Sequence, residues 1–223
     1  MLLKQVIELA DILDSPSASG AAVEAYLTSI DPEADVTVYA LEGPKGKTDV
    51  VKVRVPGIRG KSTGGSAPTI GLLGRLGGLG ARPERIGFVS DGDGALSALA
   101  IAAKLLDMKR KGDRLDGDVF ISTHVCPNAP TRPHTPVPFM DSPVNIAQMN
   151  QEEVSDDLDA ILSVDTTKGN KIINTRDFSI SPTVMQGYIL KVSSDLVDLM
   201  EITLGKPRSE ERRVGKECRK RWW

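Results

Sequence analysis

Ile-Gly-Phe-Val-Ser-Asp-Gly-Asp-Gly-Ala-Leu (Ile86 to Leu96) and Val-Phe-Ile-Ser-Thr-His-Val-Cys-Pro-Asn-Ala-Pro (Val119 to Pro130) decide the fold. Ile86 to Val89 predicts a strand, and Ala95 to Met108 a helix with Leu96, Leu99, Ala103 and Leu106 on one stripe and Gly112 beyond its end. Asp116-Gly117-Asp118 predicts a turn into a strand over Val119 to Thr123. Strand, helix and strand of this length make a right-handed βαβ unit with parallel strands. Residues just past each strand then share one edge of the sheet, where α/β proteins build their sites. That edge receives Asp91 and Asp93 from one loop, and His124 and Cys126 from the next.

The rest of the chain supports an α/β class. Leu2, Leu3, Val6, Ile7, Leu9, Ala10 and Leu13 recur at helical spacing, and Asp14-Ser15-Pro16 stops them. Ser19-Gly20 starts a second helix with Ala22, Val23, Tyr26 and Leu27 facing inward. Val36 to Tyr39 and Val50 to Val55 are β-branched and predict strands; Pro56 to Ser66 is a turn region. Short buried strands are expected at Thr69 to Leu73 and Ala160 to Val164, β structure over Ile180 to Val192, and a last helix from Asp195 to Leu204. Pro127 to Pro138 holds five prolines but ends on Val137, Phe139 and Met140, which suits an ordered extended loop. The expected architecture is a three-layer sandwich around a mostly parallel sheet.

If the strand before Asp165 joins that sheet in parallel, a third acid reaches the same edge. Carboxylates and an imidazole in one crevice suit a divalent metal, zinc or manganese, with Asp91, His124 and Asp165 as ligands. Plainer readings stand beside this one. Asp-Gly-Asp-Gly is a common turn composition, Asp93 can favour a helix N-terminus, and a His after a strand often serves a backbone hydrogen bond. Cys126 reads better as a small buried apolar residue than as a nucleophile, and His134, between prolines, as surface. No nucleotide motif holds. Gly60-Lys61-Ser62 lacks the first P-loop glycine, where Val55 stands, and Gly92-Asp93-Gly94 has Ser97 in place of a third glycine. Ser90 to Leu96 resembles the D-x-D-G-T-L signature of haloacid-dehalogenase-type phosphatases, with Ala95 replacing the threonine.

Arg208 to Cys218 resembles the in-frame translation of a sequencing-adapter oligonucleotide. Residues 208–223 lack apolar periodicity, so they are expected to be non-native, following an incomplete single domain over 1–207 that is cut short at its C-terminus. Removing the tail's seven basic and three acidic residues from 28 and 30 leaves 21 and 27, a formal charge of −6. An acidic body disfavours nucleic acid, which selects a basic face. Cys126 is then the one cysteine, which suits a reducing cytoplasm, and no apolar run is long enough for a membrane span.

Leu72 to Pro83, Gly87 to Leu96, Ile121 to Thr131 and Val164 to Asn170 resemble the bacterial and archaeal family DUF1177, of unknown function. A weaker likeness is to dinuclear-zinc aminopeptidases of the glutamyl and tetrahedral type. Leu2 to Leu27, including the Ser-Pro-Ser-Ala-Ser-Gly run at Ser15 to Gly20, is similar to their opening, Asp91 falls at their metal-bridging aspartate, and Asp165 at a second ligand aspartate. Arg75 and Gly77 stand where those enzymes have their first ligand His and a supporting Asp. Cys126-Pro127-Asn128 stands where they have paired glutamates for base and ligand. The resemblance implies a zinc-peptidase-like hydrolase with an altered or lost metal site, acting on an amide-type bond if it acts at all. A non-catalytic protein binding a small molecule or peptide, or a subunit of a homo-oligomer, is the alternative; a phosphatase is third.

Overall fold

The computed structural model describes residues 2–75, 87–88, 92–135, 139–166, 180, 184–185, 188–189 and 191–205. Helix α1 (Leu3–Asp14) turns Leu9 and Leu13 inward and stops at Ser15, held extended before Pro16. Helix α2 (Gly20–Ile30) opens on Ser19, whose hydroxyl accepts the Ala22 amide at 3.2 Å. Strands β1 (Asp35–Gly43) and β2 (Gly46–Val55) run antiparallel through the tight turn at Pro44-Lys45, extending both predicted strands to the turn.

Strand β3 (Ile70–Gly74), helix α3 (Asp93–Arg110) and strand β4 (Val119–Val125) form the parallel crossover. Its first strand is therefore β3. The strand expected over Ile86 to Val89 lies outside the described residues except for Gly87 and Phe88. The proline-rich segment pairs short strands β5 (Thr131–Arg132) and β6 (Phe139–Met140), so it is ordered where described. Helix α4 (Ile146–Glu153) comes next, with a capping box between Asn145 and Gln148, and then strand β7 (Ala160–Val164).

The main sheet has the order β1-β2-β4-β3-β7. It is mixed rather than mostly parallel: β1/β2 and β2/β4 are antiparallel, β4/β3 and β3/β7 parallel. The cause is the β1–β2 hairpin, whose short turn enforces antiparallel strands. It docks on the parallel set through β2, whose Val53 and Val55 face Ile121 and Val119 of β4.

Alternation along β2 gives the sheet two different faces. Val51, Val53 and Val55 join Leu72 and Ile121 against α1, α2 and α3, whose Leu9, Leu13, Leu27, Ala98, Leu99, Ala102 and Leu106 complete the main core. Each such Leu or Val contributes about 1.5–3 kcal/mol by leaving water. Val50, on the opposite face, packs with Val144 and Met149 of the α4 region. Between these patches lie polar residues, and that half-polar face carries the site.

The contacts divide the chain into two compact units, Met1–Thr166 and Thr167–Trp223. The described part of the second contains a hairpin of β8 (Val184–Met185) and β9 (Tyr188–Ile189), and helix α5 (Ser194–Leu204) ending on left-handed Gly205. The expected β structure and last helix fall on these elements; the tail 208–223 lies outside the described residues. Among the described residues no helix is long and apolar enough to cross a membrane.

Candidate functional site

The pairing register places a row of polar residues side by side at the end of the parallel strands. Leu73 stands opposite Ser122 of β4 and Ser163 of β7. Two residues further along, the same register brings His124, Arg75 and Asp165 into one row, with the Arg75 amide bonded to Val164 O at 2.8 Å. Neighbouring strands lie about 4.8 Å apart, so His124 and Asp165 are about 10 Å apart at their backbones with Arg75 between them. Helix α3 begins against this edge. A Cβ on Gly94 would stand 2.2 Å from Arg75 O and 2.6 Å from Val164 O. Gly94 of the Asp-Gly-Asp-Gly run thus serves close helix packing.

Arg75 reaches over the sheet to α4. Its Nη2 donates to Asn150 Oδ1 at 2.7 Å, and its Nη1 lies 2.7 Å from Glu153 Oε2. Glu153 is fully buried. The charges touch, yet no N–H is aimed along the contact: Nη1 and both Glu153 oxygens lack a directed hydrogen bond among the described residues, and so does the buried Ser122 Oγ. Burial pushes the Glu153 carboxyl up to about 7, against the opposing pull of Arg75 and then Lys52. Lys52 is itself engaged by Glu152 at 3.1 Å, and its ammonium sits 5.1 Å from the centre of the Tyr39 ring. Tyr39 OH donates to the same Glu152 carboxylate. A carboxyl displaced this far, next to one specific charge, is what functional centres build.

His124 faces the same layer as Ser122. Its Nδ1 lies 3.0 Å from Thr48 Oγ1, a hydroxyl that also lies 3.2 Å from Val125 O. Where the Thr48 proton lies on Val125 O, Nδ1 is the donor to Thr48 Oγ1. Burial first, and Arg75 second, bring the imidazole down to about 4, so it is neutral at pH 7. Thr48→Val removes the acceptor of a buried N–H and should cost about 1–3 kcal/mol. Urea unfolding gives the loss, and imidazole nitrogen NMR should show the Nδ1–H tautomer no longer dominant; an unchanged tautomer would remove Thr48 from this role.

Of the three predicted metal ligands, Asp91 lies outside the described residues, His124 is buried on the α4 side of the sheet, and Asp165 is exposed at the end of β7. Among the described residues no three His, Cys, Asp or Glu side chains are grouped to hold an ion. The Arg75 guanidinium, turned towards Asn150 and Glu153 of α4, adds a positive charge on this face that acts on His124, which disfavours a cation beside His124. Asp93 accepts from Thr166 Oγ1 at 3.2 Å, His134 is exposed, and Cys126 is buried with its thiol pushed up to about 11, chiefly by burial. That thiol is no nucleophile at neutral pH.

Sequence reasoning misses Glu153. Ile-Ala-Gln-Met-Asn-Gln-Glu-Glu reads as a polar surface segment, since only Met149 and Glu153 are buried. The available signal is Asn145 with Gln148 three residues later, a helix-start pattern. Arg75 stands out in the sequence only as a departure from a ligand position, with no partner in view.

The family model described as "Protein of unknown function (DUF1177)" matches residues 39–210. No curated protein matches. Among solved structures, the crystal structure of an Acidobacteriales bacterium glutaminyl cyclase is similar, with 17% identity and a TM-score of 0.34. The similarity covers 63% of this chain and 48% of that one, so the chain spans about half the length of that structure.

Proposed function

The chain belongs to the DUF1177 family, and from that premise we propose that it is a ligand-binding α/β domain of zinc-peptidase-like, three-layer design whose metal site is lost. One observation carries this reading: Arg75, whose strand position stands between those of His124 and Asp165, pairs its guanidinium with buried Glu153. The protein thus supplies its own cation from the strand end where the expected metal ligands His124 and Asp165 stand. Small molecules or peptides with a polar end fit such a centre better than nucleic acid, because the chain has no net basic charge.

The reading is tested by metal analysis of the protein after dialysis against zinc and manganese. Less than a tenth of an equivalent, roughly, should remain bound, with no change in Asp91→Ala, because the Arg75 charge opposes the ion. One equivalent of zinc, lost on Asp91→Ala, would restore the metallohydrolase.

A further inference from the structure

We infer that Arg75 is the anchor for the carboxylate of a small acidic ligand, and that Glu153 occupies it in the resting protein as an internal stand-in which the ligand displaces. The inference deepens the proposed function and rests on it.

Three observations meet here. Arg75 follows β3 at the strand-end edge of the sheet, with its side chain about one-sixth exposed, so it is reachable. Its contact with Glu153 is close but undirected, leaving Nη1 without a hydrogen bond among the described residues. An arginine fork matches a carboxylate best with two parallel N–H bonds, and this pair leaves that capacity unused. Independently, Ser122 Oγ is fully buried on the same face without a partner among the described residues, between Lys52 of β2 and Leu73 of β3 and one row before His124 and Arg75. Buried polar atoms are seldom left unpaired. Ser122 offers a hydroxyl to a group that enters beside Arg75.

Displacement transfers no electrons. The ligand carboxylate takes the Arg75 N–H bonds, and Glu153, left buried without its cation, takes a proton from solvent. Arg75 just past β3 and Lys52 on β2 act on Glu153; Glu152 and Tyr39 of β1 hold Lys52, and neutral His124 on β4 feels the Arg75 charge. Glu153 is raised to about 7, whereas Glu152 is held below the usual range and His124 is brought down to about 4, so the exchange should weaken as pH rises through about 7.

The probe is sodium acetate at constant ionic strength, with acetamide as the neutral control, read by calorimetry in two buffers of different ionisation enthalpy. Wild type should bind acetate about tenfold more weakly at pH 8 than at pH 6, with proton uptake at the higher pH. Glu153→Gln, which keeps the shape and removes the competing charge, should bind at least about tenfold more tightly at pH 8 and take up no proton. Arg75→Met should bind acetate no better than acetamide. Equal acetate affinity in wild type and folded Glu153→Gln at pH 8 overturns the inference. Should Glu153→Gln not fold, the wild-type profile decides: acetate binding that is absent at pH 6, or that neither weakens with pH nor takes up protons, overturns it too. Zinc stoichiometry is read separately, so a metal-loaded protein refutes the proposed function, whereas a metal-free protein indifferent to acetate refutes this inference alone.

Discussion

Arg75→Ala should lower the unfolding free energy by about 3–5 kcal/mol at pH 8, the cost of leaving a buried charge unpaired. Glu153 is fully buried and loses the cation that contacts it, while Lys52 stays committed to Glu152. The loss depends on pH, with a definite sign. The Glu153 carboxyl is raised from 4.5 to about 7, so the native state binds its proton more tightly than the unfolded chain. No stability is lost through this group below about pH 4.5, and the loss grows to about 3 kcal/mol as pH climbs past 7. Without Arg75 the carboxyl rises further and the loss continues above pH 7. The Arg75→Ala penalty should therefore shrink as pH falls towards 5. Combining Arg75→Ala with Glu153→Gln should recover most of the stability, because removing both charges leaves no unpaired ion. Urea unfolding of the four proteins at pH 5 and 8 measures this; an Arg75→Ala midpoint equal to wild type at pH 8 would show that the pair is not buried as described.

Asp118→Ala should cost about 3 kcal/mol through a different mechanism at the other end of β4. The Asp118 carboxylate accepts Gly57 N–H at 2.8 Å, and Ser62 N–H and O–H at 2.7 Å each. It holds the Gly57 to Ser62 loop closed on the start of β4. A Cβ on Gly60 would stand 1.8 Å from Asp118 Oδ1, so the loop wraps too closely for any side chain there. Burial pushes the Asp118 carboxyl up, but the bonds from Ser62 and Gly57 outweigh it and hold it below the usual range. Its contribution is then present above about pH 4 and lost as pH falls below that. The difference between Asp118→Ala and wild type should close in acid. Amide exchange across residues 57–65 should quicken in the variant at neutral pH, and unchanged exchange would mean the loop is held by something else.

The two ends of β4 differ in how far the sequence reveals them. Asp116-Gly117-Asp118 reads as a turn, and its composition does not say which carboxylate turns inward. His124 is legible as a site residue because a strand carries its last side chains to one edge of the sheet. Its tautomer is not legible, since Thr48 lies on β2, paired across the sheet. Glu153 is invisible for a related reason: its helix buries so little that no apolar stripe marks it.

Local periodicity named α1, α2 and α3, the β1 and β2 strands, β3, β4 and β7, because each element buries a face at its own repeat and each turn needs its own residues. Which strands became neighbours depended on contacts between distant segments. β4 sits between β2 and β3, and Arg75 meets Glu153 across 78 positions of chain, so the mixed sheet and the ionic centre exist only once those surfaces close on one another.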